Sequence, residues 1–133
     1  MEAIFRSLVV AMALLTVLFW SMPYVDYIWL SVEQLQLLEQ GGLGSVIPGR
    51  ELAYWGELAV WLGLSVGLFF YIKAARIGFL VFCCIVIARS FFDGVQILSP
   101  YEAAISSILG LADGAILALA YFTSIAAKFE RNS

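Results

Sequence analysis

The sequence contains no histidine among its 133 residues, and this absence excludes several kinds of chemical site. Histidine-ligated haem, histidine-containing zinc sites and a Ser-His-Asp triad all need the missing residue. The two cysteines, Cys83 and Cys84, are adjacent, so they form neither a CxxC motif nor two separated ligand pairs. We therefore expect inert thiols, no metal site and no cofactor. No nucleophile-base pair is recognisable either, so we do not expect an enzyme.

Charged residues are also scarce. They make up 13% of the chain, whereas 63% of the residues are hydrophobic and the mean hydropathy is +0.98. Soluble domains have about 25% charged and about 45 to 50% apolar residues. The net charge of −3 is small and dispersed, so it indicates no nucleic-acid partner. The composition predicts an integral membrane protein that has the lipid bilayer as its surroundings.

Four apolar stretches each approach the roughly 20 residues that an α-helix needs to cross a bilayer. We place these spans at about 7–30, 52–72, 77–98 and 103–127. The short connections between the last three predict antiparallel neighbours. The expected fold is therefore all-α, a single domain over residues 1–133 with four transmembrane helices in an antiparallel bundle. No A-x-A-like cleavage site follows the first span, so we expect a retained helix rather than a secretory signal.

Basic residues are unevenly distributed between the two sides of this four-span arrangement. One side has Arg6, Lys73, Arg76, Lys128 and Arg131, and the other has Arg50 together with Glu33, Glu39, Glu51 and Glu102. Short cytoplasmic loops carry the excess of lysine and arginine, so both termini are predicted to be cytoplasmic. Aromatic residues agree, because they concentrate at the predicted outer boundary: Tyr24, Tyr27, Trp29, Tyr54, Trp55 and Tyr101.

The first outer loop, residues 31–51, is predicted to contain a short amphipathic helix. Ser31 is a suitable N-cap, Gln34 completes an S-x-x-Q capping box, and Gly41 is a suitable end. The apolar residues of this segment fall on one side: Val32, Leu35 and Leu38. The helix either returns the chain to the second span or serves as a lid or partner-docking element.

Four charged residues interrupt the predicted spans: Glu57, Arg89, Asp93 and Asp113. A rise of about 1.5 Å per residue places Arg89 and Asp113 at nearly the same depth, with Glu57 and Asp93 nearer the outer boundary. One charge at the centre of a membrane helix costs about 2.5 to 3.5 kcal/mol. We therefore expect Arg89 to pair with Asp113 across the helix interface, with Asp93 at i+4, or with both. Glu57 is a further candidate partner.

One arginine cannot neutralise three carboxylates, and this excess of acid leaves two interpretations open. In the first, the protein is an accessory or assembly subunit, and an Arg89–Asp113 pair fastens the bundle. In the second, it is a small transporter or binding protein with an outward-facing polar pocket for a proton, an anion or a lipid headgroup. The predicted polar cluster, defined by helical phase and depth, is Arg89, Asp93, Asp113, Glu57, Gln96 and Ser106.

Two glycine pairs have the GxxxG spacing that permits close approach of membrane helices, Gly63 with Gly67 and Gly110 with Gly114. We predict that all four are helix-packing residues. The partners consistent with such an accessory subunit are further copies of the chain in a homo-oligomer, or the other subunits of a larger membrane complex.

Four short spans, Arg89 followed by Asp93-Gly94 in the third, and Asp113 in the fourth resemble small bacterial membrane proteins of the DoxX-like type. The likeness covers spans two to four. It implies a multi-pass four-helix bundle in the bacterial cytoplasmic (inner) membrane, in some cases associated with redox partners, and it implies no particular activity. The chain also has the size of small multidrug transporters. It departs from them because their first span carries a glutamate, whereas here no acid precedes Asp26 within the span.

Overall fold

A computed structural model describes residues 1–40 and 50–131, and every regular element within these ranges is an α-helix. The helices are α1 (Glu2–Trp29), α2 (Val32–Glu39), α3 (Arg50–Phe69), α4 (Lys73–Arg89), α5 (Pro100–Phe122) and α6 (Ala126–Arg131). The predicted all-α class is therefore confirmed for the described chain. The predicted end of the loop helix at Gly41 lies outside the described residues.

Three of these helices are long and apolar enough to cross a membrane: α1, the Leu52–Phe69 part of α3, and α5. The 23 residues of α5 extend about 35 Å at 1.5 Å per residue, which exceeds a hydrocarbon core of about 30 Å. By contrast, the 17 residues of α4 extend only about 25 Å. The structure therefore agrees with a helical membrane protein, and α4 is the exception among the four predicted spans.

The third predicted span, 77–98, is not one continuous helix. α4 ends at Arg89, and the chain then makes a tight turn in which the Phe92 N–H donates to the Arg89 carbonyl at 2.7 Å. Gly94 follows with φ of 77°, a left-handed conformation that glycine adopts readily and that a right-handed helix does not contain. Residues 94–99 have no regular structure. The Asp-Gly turn ended the helix, although the apolar residues beyond it suggested continuation.

Capping boxes start α2 and α5. At α2, the Gln34 N–H donates to Ser31 Oγ at 3.4 Å and the Ser31 N–H donates to Gln34 Oε1 at 3.0 Å, which confirms the predicted box. At α5, the Glu102 N–H donates to Ser99 Oγ at 3.2 Å and the Ser99 N–H donates to the Glu102 carboxylate at 2.8 Å. Pro100 occupies the first turn, where no backbone donor is needed. Both helix starts are therefore defined by local sequence.

The end of α3 has an unusual residue in the left-handed position. The Ile72 N–H donates to the Gly67 carbonyl at 2.9 Å, and Tyr71, with φ of 58°, takes the place that glycine usually holds in such a helix end. A side chain in this conformation costs about 1 to 2 kcal/mol. The Tyr71 ring compensates by packing against Phe5 and Phe129, with ring centroids 5.7 and 5.5 Å away.

α1 packs against α3 and α5, α3 packs against α4, and α4 contacts α5 and α6. The fully buried side chains of this core include Phe5, Met12, Leu68, Phe79, Ile116 and Phe129.

The fourth predicted span, 103–127, is divided: α5 ends at Phe122, and the Thr123 hydroxyl donates to the Leu119 carbonyl at 2.6 Å before α6 begins at Ala126.

Ion pairs connect α6 to the start of α1 and the start of α4. Glu130 accepts from Arg76 Nη2 at 2.5 Å and from Lys73 Nζ at 2.6 Å, and Lys128 Nζ lies 2.5 Å from Glu2. These donated hydrogen bonds lower the pKa of the Glu130 carboxyl below its ordinary value. A fourth basic residue, Arg6, lies 5.1 Å from the Tyr71 ring at the same end of the molecule. Four of the five basic residues that predicted the cytoplasmic side therefore have acidic or aromatic neighbours at this end.

The predicted packing glycines differ from one another. A Cβ at Gly67 would collide with the Cβ of Ala75 in α4, so glycine is required for this contact. A Cβ at Gly63, Gly110 or Gly114 would meet open space. Close packing within the described chain is therefore found at Gly67. The packing role of Gly63, Gly110 and Gly114 stays a prediction, because no described part of the chain approaches them.

Candidate functional site

A pocket of about 520 Å³ lies between the end of α1, α2, the start of α3, the segment after α4 and the start of α5; we call it the polar pocket. Five of the six residues of the predicted polar cluster line it: Glu57, Arg89, Asp93, Gln96 and Ser106. The sixth, Asp113, is not among the lining residues. The structure therefore brings most of this cluster together at one place.

Arg89 forms ion pairs with two acids, Glu57 and Asp93. In the described chain it does not pair with Asp113, the acid that was expected at the same depth in the membrane. Its Nη1 lies 2.5 Å from Glu57 Oε2, and its Nε lies 3.2 Å from Asp93 Oδ2. The Glu57 side chain is 11% exposed and the Arg89 side chain is 35% exposed, so this contact between α3 and the end of α4 is partly removed from solvent. Within the described chain Arg89 makes no ion pair with Asp113.

The Arg89–Asp113 prediction failed because it assumed a continuous helix over 77–98. α4 ends at Arg89, and the turn after it folds Asp93 back onto the guanidinium. The α5 residue that lines the polar pocket farthest along the helix is Ser106, and Asp113 lies about 10 Å beyond it along the helix axis. Asp113 is half-buried and belongs to a different level of the molecule.

Asp26 is the buried acid of the polar pocket, and the predicted polar cluster did not include it. It is 2% exposed and lies in the pocket wall, and among the described residues neither of its carboxylate oxygens has a hydrogen-bond partner. Its place in the last turn of α1 is also unfavourable, because the C-terminal end of a helix is the negative end of its dipole. An acid in an aromatic stretch, PYVDYIW, was the available sequence signal.

Acidic residues outnumber basic ones around the polar pocket. The described lining residues include five acids, Asp26, Glu39, Glu57, Asp93 and Glu102, and one base, Arg89. Arg89 neutralises part of this charge, and the Glu102 carboxylate accepts from the Ser99 N–H at 2.8 Å. The pocket is therefore a region of negative potential, and Asp26 is its one buried carboxylate with no partner in the described chain.

Aromatic side chains form another part of the pocket wall: Phe19, Tyr27 and Tyr54. Tyr54 is held in place, because its hydroxyl donates to the Trp20 carbonyl at 2.7 Å and the Trp20 indole N–H donates to the Tyr54 carbonyl at 3.0 Å. The two rings lie 5.7 Å apart. This reciprocal contact fixes α1 to α3 beside the pocket.

The pocket carboxylates do not converge on one point. In the part of the chain that the structure describes, no three histidine, cysteine, aspartate or glutamate side chains are placed to hold a metal ion. The pocket volume of about 520 Å³ suits a small molecule.

No protein-family model, curated protein or solved structure matches this chain. The resemblance to DoxX-like proteins therefore stays a prediction, and the arguments below depend on the geometry of the chain itself.

Proposed function

We propose that this protein is a multi-pass membrane protein that binds a small polar molecule in the polar pocket, either as a binding protein or as a small transporter. The observation that carries the proposal is Asp26. An ionised carboxylate buried without a partner is costly by several kcal/mol, so it persists where a ligand or a proton compensates it. The pocket volume of about 520 Å³ falls within the range of about 300 to 1,000 Å³ typical of small-molecule sites.

In the proposed membrane arrangement, α1, α3, α4 and α5 form an antiparallel four-helix bundle. Both termini are cytoplasmic, because the basic residues Arg6, Lys73, Arg76 and Lys128 belong to the end that contains the start of α1. The polar pocket then opens on the outer side of a bacterial inner membrane. Its location at the helix ends gives a solute access without a path through hydrocarbon.

Native mass spectrometry of protein extracted in mild detergent tests the binding proposal. We expect the wild-type protein to retain a small molecule. Ser106→Trp places a large side chain at the pocket wall and should abolish retention. Ser107→Trp is the matched control, because Ser107 is exposed and is not a lining residue. Equal retention by wild type and both variants would place the molecule elsewhere, and absence of any retained molecule from the wild type would count against the proposal.

A second candidate function, that of an accessory or assembly subunit, is supported by the open glycines. Gly110 and Gly114 form a small-residue strip on α5 that no part of the described chain covers, and a helix of another subunit can approach closely there. Gly110→Leu with Gly114→Leu should then abolish co-purification of membrane partners in mild detergent while leaving the monomer folded. Recovery of this chain alone from the wild-type sample would argue against a subunit role.

A further inference from the structure

We infer that the ligand of the polar pocket is a small organic cation, such as a protonated amine, and that Asp26 is its counter-ion. This inference rests on the proposed binding function and adds the chemical class of the ligand.

The charges that line the pocket favour a cation over an anion. The described lining residues contain one basic side chain, Arg89, and its Nη1 and Nε already contact Glu57 and Asp93. A bound anion would have to displace these carboxylates and would face Asp26 and Glu102 as well. A cation meets the opposite situation, because every one of these acids attracts it.

Asp26 supplies the specific contact. Both of its oxygens are buried and lack hydrogen-bond partners in the described residues, and Asp26 is one of the residues that line the polar pocket. An ammonium group has several donors and one positive charge, so a single such group satisfies both the hydrogen-bonding capacity and the charge of the carboxylate. None of the other four pocket acids is a buried carboxylate without a partner: Glu57 and Asp93 bind Arg89, Glu102 caps α5, and Glu39 is exposed.

The pocket suits an organic cation better than a metal ion. Metal ions require several ligands at one point, and in the described chain no three suitable side chains provide this. The available volume of about 520 Å³ is far larger than one ion needs. The rings of Phe19, Tyr27 and Tyr54 line the same volume, and aromatic faces attract cations and cover apolar groups.

Three probes of nearly equal size and different charge test the inference: benzylammonium, benzyl alcohol and benzoate. Their affinities for the purified protein are measured by isothermal titration calorimetry in detergent near neutral pH. We expect benzylammonium to bind the wild type about tenfold more tightly than either of the other two. Tighter binding of benzoate or benzyl alcohol would overturn the choice of a cation and would leave pocket binding itself intact, provided that Ser106→Trp abolishes it.

Asp26→Asn keeps the shape of the side chain and removes its charge, so it should weaken benzylammonium binding about tenfold and leave benzyl alcohol unchanged. Asp113→Asn is the matched control, because it removes a half-buried acid outside the pocket, and it should bind benzylammonium as the wild type does. Unchanged binding by Asp26→Asn would overturn the role of Asp26.

Misfolding of the Asp26 variant does not leave the inference untested, because Ser106→Trp should lose benzylammonium binding and Ser107→Trp should keep it. If no probe binds the wild type, the cation inference is wrong. The binding proposal is then judged separately by the molecule that native mass spectrometry detects.

Discussion

Trp20 and Tyr54 exchange hydrogen bonds between α1 and α3: the Tyr54 hydroxyl donates to the Trp20 carbonyl at 2.7 Å, and the Trp20 indole N–H donates to the Tyr54 carbonyl at 3.0 Å. The first bond gives the Trp20 carbonyl a second donor in addition to the backbone of its own helix. The pair therefore fastens α1 to α3 beside the polar pocket, through contacts that hydropathy does not reveal.

Tyr54→Phe removes one of these bonds and should lower the free energy of unfolding by about 0.6 to 1 kcal/mol. Tyr71→Phe is the matched control, because the buried Tyr71 hydroxyl has no hydrogen-bond partner in the described chain. Its loss should be neutral or stabilising. Thermal unfolding of both variants in the same detergent measures the difference, and equal destabilisation by the two changes would contradict the assigned role of Tyr54.

A charge swap tests the partner of Arg89. Arg89→Glu alone and Glu57→Arg alone should both destabilise the protein, because each leaves like charges in contact. The double variant should lose less stability than the two single variants added together, with a coupling energy of about 0.5 to 3 kcal/mol. Recovery will be partial, because Asp93 repels a carboxylate introduced at position 89.

The control for this swap is the pair Arg89→Asp with Asp113→Arg. Protein amount in membranes and melting temperature are measured for both sets. We expect no coupling between positions 89 and 113, since no ion pair joins them. A coupling energy between positions 89 and 113, and none between positions 89 and 57, would support an Arg89–Asp113 pair and contradict the observed geometry.

Gly67 and Gly63 provide a second matched pair, on the packing of α3. Gly67→Ala should destabilise the protein by about 1 to 3 kcal/mol, because the added methyl group meets the Cβ of Ala75. Gly63→Ala should be neutral or slightly stabilising, because its methyl group enters open space and alanine favours the helix. Melting temperatures of the two variants test this prediction. If Gly63→Ala lowers the melting temperature more than Gly67→Ala does, another molecule covers the Gly63 face of α3.

The stability contributed by Glu130 should depend on pH. Its folded-state pKa lies below the ordinary glutamate value, because Lys73 and Arg76 donate to the carboxylate. Folding therefore favours the ionised form: the contribution is fully present above the unfolded-state pKa and is lost as the pH falls through the folded-state pKa. Glu130→Gln removes this dependence.

Melting temperatures of wild type and Glu130→Gln, measured from about pH 7 down to about pH 3, should differ most near neutrality and converge in acid. Glu33→Gln is the control, because it removes the same charge from an exposed residue in the first turn of α2. A difference for Glu130→Gln that grows in acid would have the wrong sign for the ion pairs described here.

Thiol labelling tests the proposed orientation. In a background with Cys83→Ala and Cys84→Ala, Ser106→Cys should react in intact cells with a membrane-impermeant maleimide. Ser124→Cys, which is equally exposed but lies beside Met1, should react only after the cells are opened. The reverse pattern would place the polar pocket on the cytoplasmic side.

Local and compositional features of the fold were predictable from the sequence. Apolar runs identified the long helices, and the S-x-x-Q signal at Ser31 and Gln34 located the start of α2. The contact of Arg89 with Asp93 was predicted from their separation of four residues. The turn after α4 still brings the two side chains together, although the helix has ended. Such features depend on neighbouring residues, which a single sequence displays directly.

Features that depend on packing between distant segments were not predictable. The burial of Asp26 depends on how α2, α3 and α5 assemble around the end of α1, and nothing near it in the chain records this. The contact of Arg76 with Glu130 requires α6 to fold back beneath α4 after the break at Thr123. The error about Asp113 has a local cause, because the left-handed Gly94 outweighs the apolar residues that follow it.

The irregular segment from Gly94 to Leu98 has a consequence for hydration. Peptide groups outside helices and closed barrels are not tolerated in contact with lipid chains, because hydrocarbon offers them no hydrogen bonds. In the proposed membrane arrangement this stretch must therefore face water or protein, and residues 95–98 do line the polar pocket. In the proposed four-span arrangement, water would therefore reach the level of Arg89 on the side of the molecule where the polar pocket lies.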